Sequence, residues 1–105
     1  MSSLHLINNV SAQTWQQLQR ALQVADSVVL LGDAVYLLQQ LQHTAATITA
    51  PHPAATILSK HQSFALTDDL QARQIITGDN CTTERIDYDS WVQLCVDYDK
   101  TISWL

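Results

Sequence analysis

Apolar and polar residues follow one another along this chain in blocks of changing period, and the blocks define its elements. Leu4 to Ile7 is an apolar run broken only by His5 and ended by Asn8-Asn9, which predicts a first strand. Ser11 is placed to cap a helix that runs toward Asp26-Ser27. Within it Trp15, Leu18, Leu22 and Ala25 fall at steps of three, four and three. They make one apolar stripe, with Gln16, Gln17, Gln19 and Gln23 mostly outside it. This is the clearest helix in the chain.

Val28-Val29-Leu30-Leu31 is unbroken, β-branched at its start, and stops at Gly32-Asp33. Such a run suits a strand buried on both faces, in a parallel sheet flanked by helices. Asp33 is placed to cap a second helix, from Ala34 to about His43. Its apolar positions cover more than one stripe, and a helix of that kind sits deep in a core or meets a partner protein. The partner reading makes Val35, Tyr36, Leu37, Leu38 and Leu41 a candidate interface.

Residues 44–59 are rich in Ala and Thr and hold both prolines, Pro51 and Pro53, which predicts a loop with no more than a short turn. Gln62 to Leu66 reads as a third strand. Thr67-Asp68-Asp69 then caps a short helix to about Ile75, the two acids suiting its positive end. Gly78-Asp79-Asn80 is a turn and Thr82 to Asp87 a fourth strand. Tyr88-Asp89-Ser90 leads into a helix carrying Trp91, Val92, Cys95 and Val96, and Thr101 to Leu105 adds a last strand. Strand and helix alternate throughout. That predicts one α/β domain over residues 1–105, with a mainly parallel sheet of about five strands and helices on both faces.

Composition narrows the function. With 105 residues, 47% of them hydrophobic, the chain can bury about two-thirds of its unfolded surface without disulfides or metal. Ten acidic residues against five basic ones leave a net charge of −5. The basic residues are scattered, which argues against a phosphate-neutralising face for nucleic acid and against a polybasic membrane patch. No apolar run approaches the ~20 residues of a membrane-spanning helix. Met1-Ser2-Ser3 does not open a signal peptide, and Cys81 and Cys95 form no disulfide scaffold, so the expected compartment is the cytoplasm.

Candidate chemistry is sparse. Gly32 and Gly78 lie in no phosphate-cradling motif, so no nucleotide or other cofactor is expected. Cys81 precedes the fourth strand, where a thiol could be exposed, but Asp79 and Glu84 nearby oppose its ionisation and only Arg85 offsets them. Cys95 follows Trp91 by one turn on an apolar face and reads as core. His43, His52 and His61 recur every nine residues, a spacing wider than that of structural zinc pairs, so no metal is expected. His5 reads as a hydrogen-bonded core histidine, and Asp87 and Asp89 as capping residues. No catalytic constellation emerges.

Taken in order, several short motifs resemble the TusB/DsrH family of sulfur-relay proteins. They are Leu4-His5, Ser11 opening the first helix, Val28 to Leu31 followed by Asp33, and Ala65-Leu66 leading into Asp69-Leu70-Gln71-Ala72-Arg73. Ile86-Asp87-Tyr88 before the last helix and Trp104-Leu105 complete the set. The resemblance implies a DsrE-like fold and a cytoplasmic complex with TusC-like and TusD-like subunits, a dimer of heterotrimers. That complex takes persulfide sulfur from TusA and hands it to TusE for 2-thiolation of the tRNA wobble uridine. The persulfide cysteine of such complexes belongs to TusD, so this chain is expected to be a structural, non-catalytic subunit. Two alternatives are a sulfurtransferase acting through a Cys81 persulfide and a DsrH-like subunit of a sulfur-oxidation complex. Some DsrH members carry a cysteine in the first helix where this chain has Ala21. Ala34 and Gln74 stand where the family often has glycine.

Overall fold

The computed structural model describes residues 2–44, 53–77 and 81–104, without the side chains of residues 41–44. Five strands form one sheet: β1 (Ser3–Ile7), β2 (Ser27–Leu30), β3 (Ser63–Leu66), β4 (Glu84–Ile86) and β5 (Lys100–Trp104). Their order across the sheet is β4-β3-β2-β1-β5. All four pairings are parallel, with Leu6 opposite Val29, Val29 opposite Phe64 and Leu66 opposite Ile86. The mainly parallel α/β architecture expected from the alternation is therefore present.

The helices are α1 (Ala12–Ala21), α2 (Tyr36–Thr44), α3 (Pro53–Lys60), α4 (Thr67–Ala72) and α5 (Tyr88–Asp97). Each step from β1 to β4 moves the chain the same way across the sheet, and right-handed crossovers then put α1 to α4 on one face. The return from β4 past β1 to β5 runs the other way and leaves α5 alone on the opposite face. Two cores result. Trp15, Leu18, Leu37, Ile57 and Leu70 pack on Ile7, Val28, Leu30 and Ala65. Behind the sheet, Trp91, Leu94 and Cys95 of α5 pack on Leu4, Leu6, Val29, Phe64 and Ile86. Burying each large aliphatic side chain stabilises the fold by about 1.5–3 kcal/mol.

Several local expectations are corrected. Residues 53–60 form a helix rather than a loop, and Pro53 opens it, where a missing N–H leaves no helical bond unmade. Helix α1 stops at Ala21, short of Asp26, because Leu22 turns extended and the Asp26 carboxylate accepts the Gln23 N–H at 3.1 Å. The Ser11 side chain makes no capping bond; Asn9 Oδ1 instead accepts the Ser11 N–H at 3.2 Å. Asp33 lies inside a 3-10 turn (Gly32–Val35) that precedes α2, and its carboxylate is taken by Arg73. At α5 the expected cap is present: Asp87 Oδ1 accepts the Ser90 N–H at 2.8 Å. The bonds to the Ser90 backbone and side chain hold the Asp87 carboxyl below its ordinary value. The turn expected at Gly78-Asp79-Asn80 lies outside the described residues.

Candidate functional site

The residues singled out for chemistry do not converge. Cys81 is half-buried against the larger core, with Sγ 3.8 Å from the Thr83 carbonyl oxygen. Cys95 lies half-buried on the inner face of α5, against the other core. The sheet separates the two cores. The His43 side chain and His52 lie outside the described residues. His61, third of the nine-residue series, donates from Nδ1 to the Asp26 carbonyl oxygen at 3.2 Å. Among the described residues no group of three or more His, Cys, Asp or Glu is arranged to hold a metal ion. None of the described helices is long and apolar enough to cross a membrane.

His5 is the buried, hydrogen-bonded histidine that its place in a strand implies. Its Nε2 is 3.0 Å from Asp26 Oδ2, and its Nδ1 is 3.0 Å from the indole Nε1 of Trp104. An indole N–H can only donate, so Nδ1 accepts and the proton sits on Nε2, directed at the carboxylate. Burial pushes the Asp26 carboxyl up. Hydrogen bonds from His5 and from the backbone N–H groups of Gln23 and Ser3 outweigh it and hold the carboxyl below its ordinary value. Each side-chain polar atom of this trio has a hydrogen-bond partner within the protein. The geometry ties β1, the α1–β2 loop and β5 together.

The candidate interface on the second helix is mostly interior. Val35, Leu37 and Leu38 are buried in the larger core, because that helix lies between the sheet and its neighbours and needs apolar residues on several sides. Tyr36 is 38% exposed, and the Leu41 side chain lies outside the described residues. Beside Tyr36, Arg73 closes a small polar network at the carboxyl ends of β2 and β3. Its Nε and Nη2 donate to Asp33 Oδ1 at 3.2 and 3.1 Å, and its guanidinium lies 5.8 Å from the centre of the Tyr36 ring. Asp69 receives the same guanidinium, Nη1 to Oδ1 3.5 Å, and its other oxygen accepts the Gly32 N–H at 3.0 Å. These bonds pin the β2–α2 junction to α4.

The surface left open is elsewhere. On α5, Tyr88, Val92 and Val96 are 56, 59 and 72% exposed. At four-residue steps they form one ridge along a flank of the helix, between the face that packs on the sheet and the polar outer face. Trp91, Leu94 and Cys95 face inward. The Tyr88 ring leans on Trp91, with 5.5 Å between centroids. Asp89, Gln93 and Asp97 are also exposed along α5. The signal for this ridge is present in the sequence as a second apolar set at positions 88, 92 and 96, offset from the one that packs.

Comparison with known proteins places these features in a wider setting. The family model described as "DsrH like protein" matches residues 9–101, most of the chain. No curated protein matches it.

Proposed function

The chain belongs to the DsrH-like protein family, and from that membership we propose that it is a non-catalytic, structural subunit of a TusBCD-type complex. Membership implies a part in sulfur relay, and proteins of the family form complexes with DsrE-like and DsrF-like subunits. In the proposed role the chain works in the cytoplasm, bound to TusC-like and TusD-like partners in a dimer of heterotrimers. The assembly carries persulfide sulfur from TusA to TusE for 2-thiolation of the tRNA wobble uridine.

The match over residues 9–101 carries this reading. The placement of the thiols supports the absence of catalysis. A relay cysteine needs an accessible sulfur and a neighbour that favours the thiolate. Cys81 and Cys95 each pack against a core, on opposite sides of the sheet. Ala21, at the position where some DsrH members carry a first-helix cysteine, is exposed and has no sulfur to offer.

The test is co-expression with the TusC-like and TusD-like proteins of the same organism, followed by measurement of tRNA 2-thiolation. Complex formation and full thiolation with Cys81→Ser and Cys95→Ser are expected. Mass spectrometry after incubation with a persulfide donor adds a second readout. An adduct of about 32 Da, one sulfur atom, on Cys81, with thiolation lost in Cys81→Ser, would identify a sulfurtransferase instead. A complex that forms but supports sulfur oxidation and no tRNA thiolation would move the chain to the DsrH pathway.

A further inference from the structure

We infer that the exposed ridge of α5 is the docking face for a partner subunit that presents an apolar groove rimmed by lysine or arginine. The inference rests on the complex-subunit reading above and assigns that role to a different helix from the one the sequence singles out.

Two independent properties of the segment converge. The first is the apolar ridge itself: Tyr88, Val92 and Val96, each more than half exposed, on a ten-residue helix about 15 Å long. The second is charge. Residues 87–99 hold Asp87, Asp89, Asp97 and Asp99 and no lysine or arginine. Six acids and five bases remain in the rest of the chain, so almost all of its net charge is gathered on and beside this helix. Asp89 and Asp97 flank the ridge on its outer side, and Asp87 and Asp99 lie at the two ends of the helix. An apolar ridge bordered by one sign of charge selects a groove bordered by the other, with the charges steering the encounter and fixing orientation.

The same charges weigh against a second copy of this chain as the occupant. Packing α5 on another α5, in either direction, sets aspartates against aspartates with no cation to separate them, and like charges in contact oppose association. A standard interface buries about 800 Å² on each partner, more than three side chains supply. The surface can extend onto β5. Thr101 and Ser103, opposite Leu4 and Leu6, point to the α5 side of the sheet and are exposed.

The experiment measures assembly with the co-expressed TusC-like and TusD-like subunits, by size-exclusion chromatography with light scattering and by association kinetics at several salt concentrations. Val92→Glu and Val96→Glu alter only exposed positions, and thermal unfolding of each variant checks that the fold is kept. Each is expected to weaken assembly at least ten-fold at unchanged melting temperature, with the free wild-type chain monomeric. Asp97→Lys places a cation at a helix C-terminus, where it suits folding. It is expected to slow association and flatten its salt dependence. Variants that assemble like the wild type would overturn the docking face while leaving the subunit reading intact. A wild-type chain that binds neither subunit would overturn both. A free chain that dimerises, and is dissociated by Val92→Glu, would identify a second copy as the occupant and overturn the choice of partner.

Discussion

The imidazole of His5 and the carboxylate of Asp26 meet at 3.0 Å inside the protein, from a strand centre and a loop 21 residues apart. Asp26 is only 5% exposed, and its carboxylate accepts two further hydrogen bonds, from the Ser3 N–H at 2.9 Å and the Gln23 N–H at 3.1 Å. A buried carboxylate is tolerated when donors surround it in this way, here the His5 Nε2–H and two backbone N–H groups.

Asp26→Asn keeps the shape but sets an amide NH₂ against donors that need an acceptor. A loss of about 3 kcal/mol of stability is expected, measurable by urea unfolding. The pH dependence should change with it. The Asp26 carboxyl is held below its ordinary value in the folded protein, so the unfolded chain binds the proton first as pH falls. Its contribution is complete above about pH 4 and is lost as pH drops through the lower, folded value. The variant should therefore show a shallower acid limb, with the slope due to Asp87 remaining.

Trp104 closes the other side of the same histidine, its ring stacked at 23° and 6.2 Å from the imidazole. Trp104→Phe retains a ring and removes the donor, leaving Nδ1 without its partner at a cost of about 1–2 kcal/mol. Because β5 is an edge strand held by β1 alone, the effect should be local. Amide exchange should quicken across Lys100–Trp104 and hold steady in β2. Equal acceleration in both strands would show that the bond supports the whole fold instead.

Gln74 adopts φ 53°, a left-handed conformation that penalises any side chain by about 1–2 kcal/mol. It sits where α4 ends in a Schellman motif, the Gln74 N–H bonding Gln71 and the Ile75 N–H bonding Leu70 at 2.9 Å. Leu70 and Ile75 are both buried in the larger core beneath it. Gln74→Gly removes the strain and adds backbone freedom to the unfolded chain, for a net gain of about 0.5–1 kcal/mol. An unchanged or lower urea midpoint would show that the Gln74 side chain contributes more than its conformation costs.

What the sequence made legible follows from how locally each feature is encoded. The central strands were readable because a strand buried on both faces must be written as a continuous apolar run, as Val28–Leu30 is. Helix α3 was not, since prolines and an Ala/Thr-rich stretch signal a loop unless one knows that Pro53 falls at a helix start. The pairing of His5 with Asp26 leaves no local pattern, and Asp26 looks like an ordinary helix end. The two surfaces were harder still. Leu37 and Leu38 look available because four helices stack on one face and need apolar residues on several sides. On α5, Trp91 and Val92 are neighbours around the helix, and nothing local says which of them meets the sheet.

That exchange of roles separates two substitutions one residue apart. Leu37 is fully buried, so Leu37→Ala should cost about 2–5 kcal/mol through lost burial and the cavity left behind, and Leu37→Asp should prevent folding. Tyr36 is 38% exposed and meets the Arg73 guanidinium across its ring face. Tyr36→Ala should therefore cost less than Leu37→Ala, about 1–2 kcal/mol from the covered part of the ring and the cation–π contact. Thermal and urea unfolding of the isolated chain measure both. If Leu37→Ala melted like the wild type and only assembly suffered, α2 would have to present Leu37 to a partner, and the packing of the larger core around it would need to be redrawn.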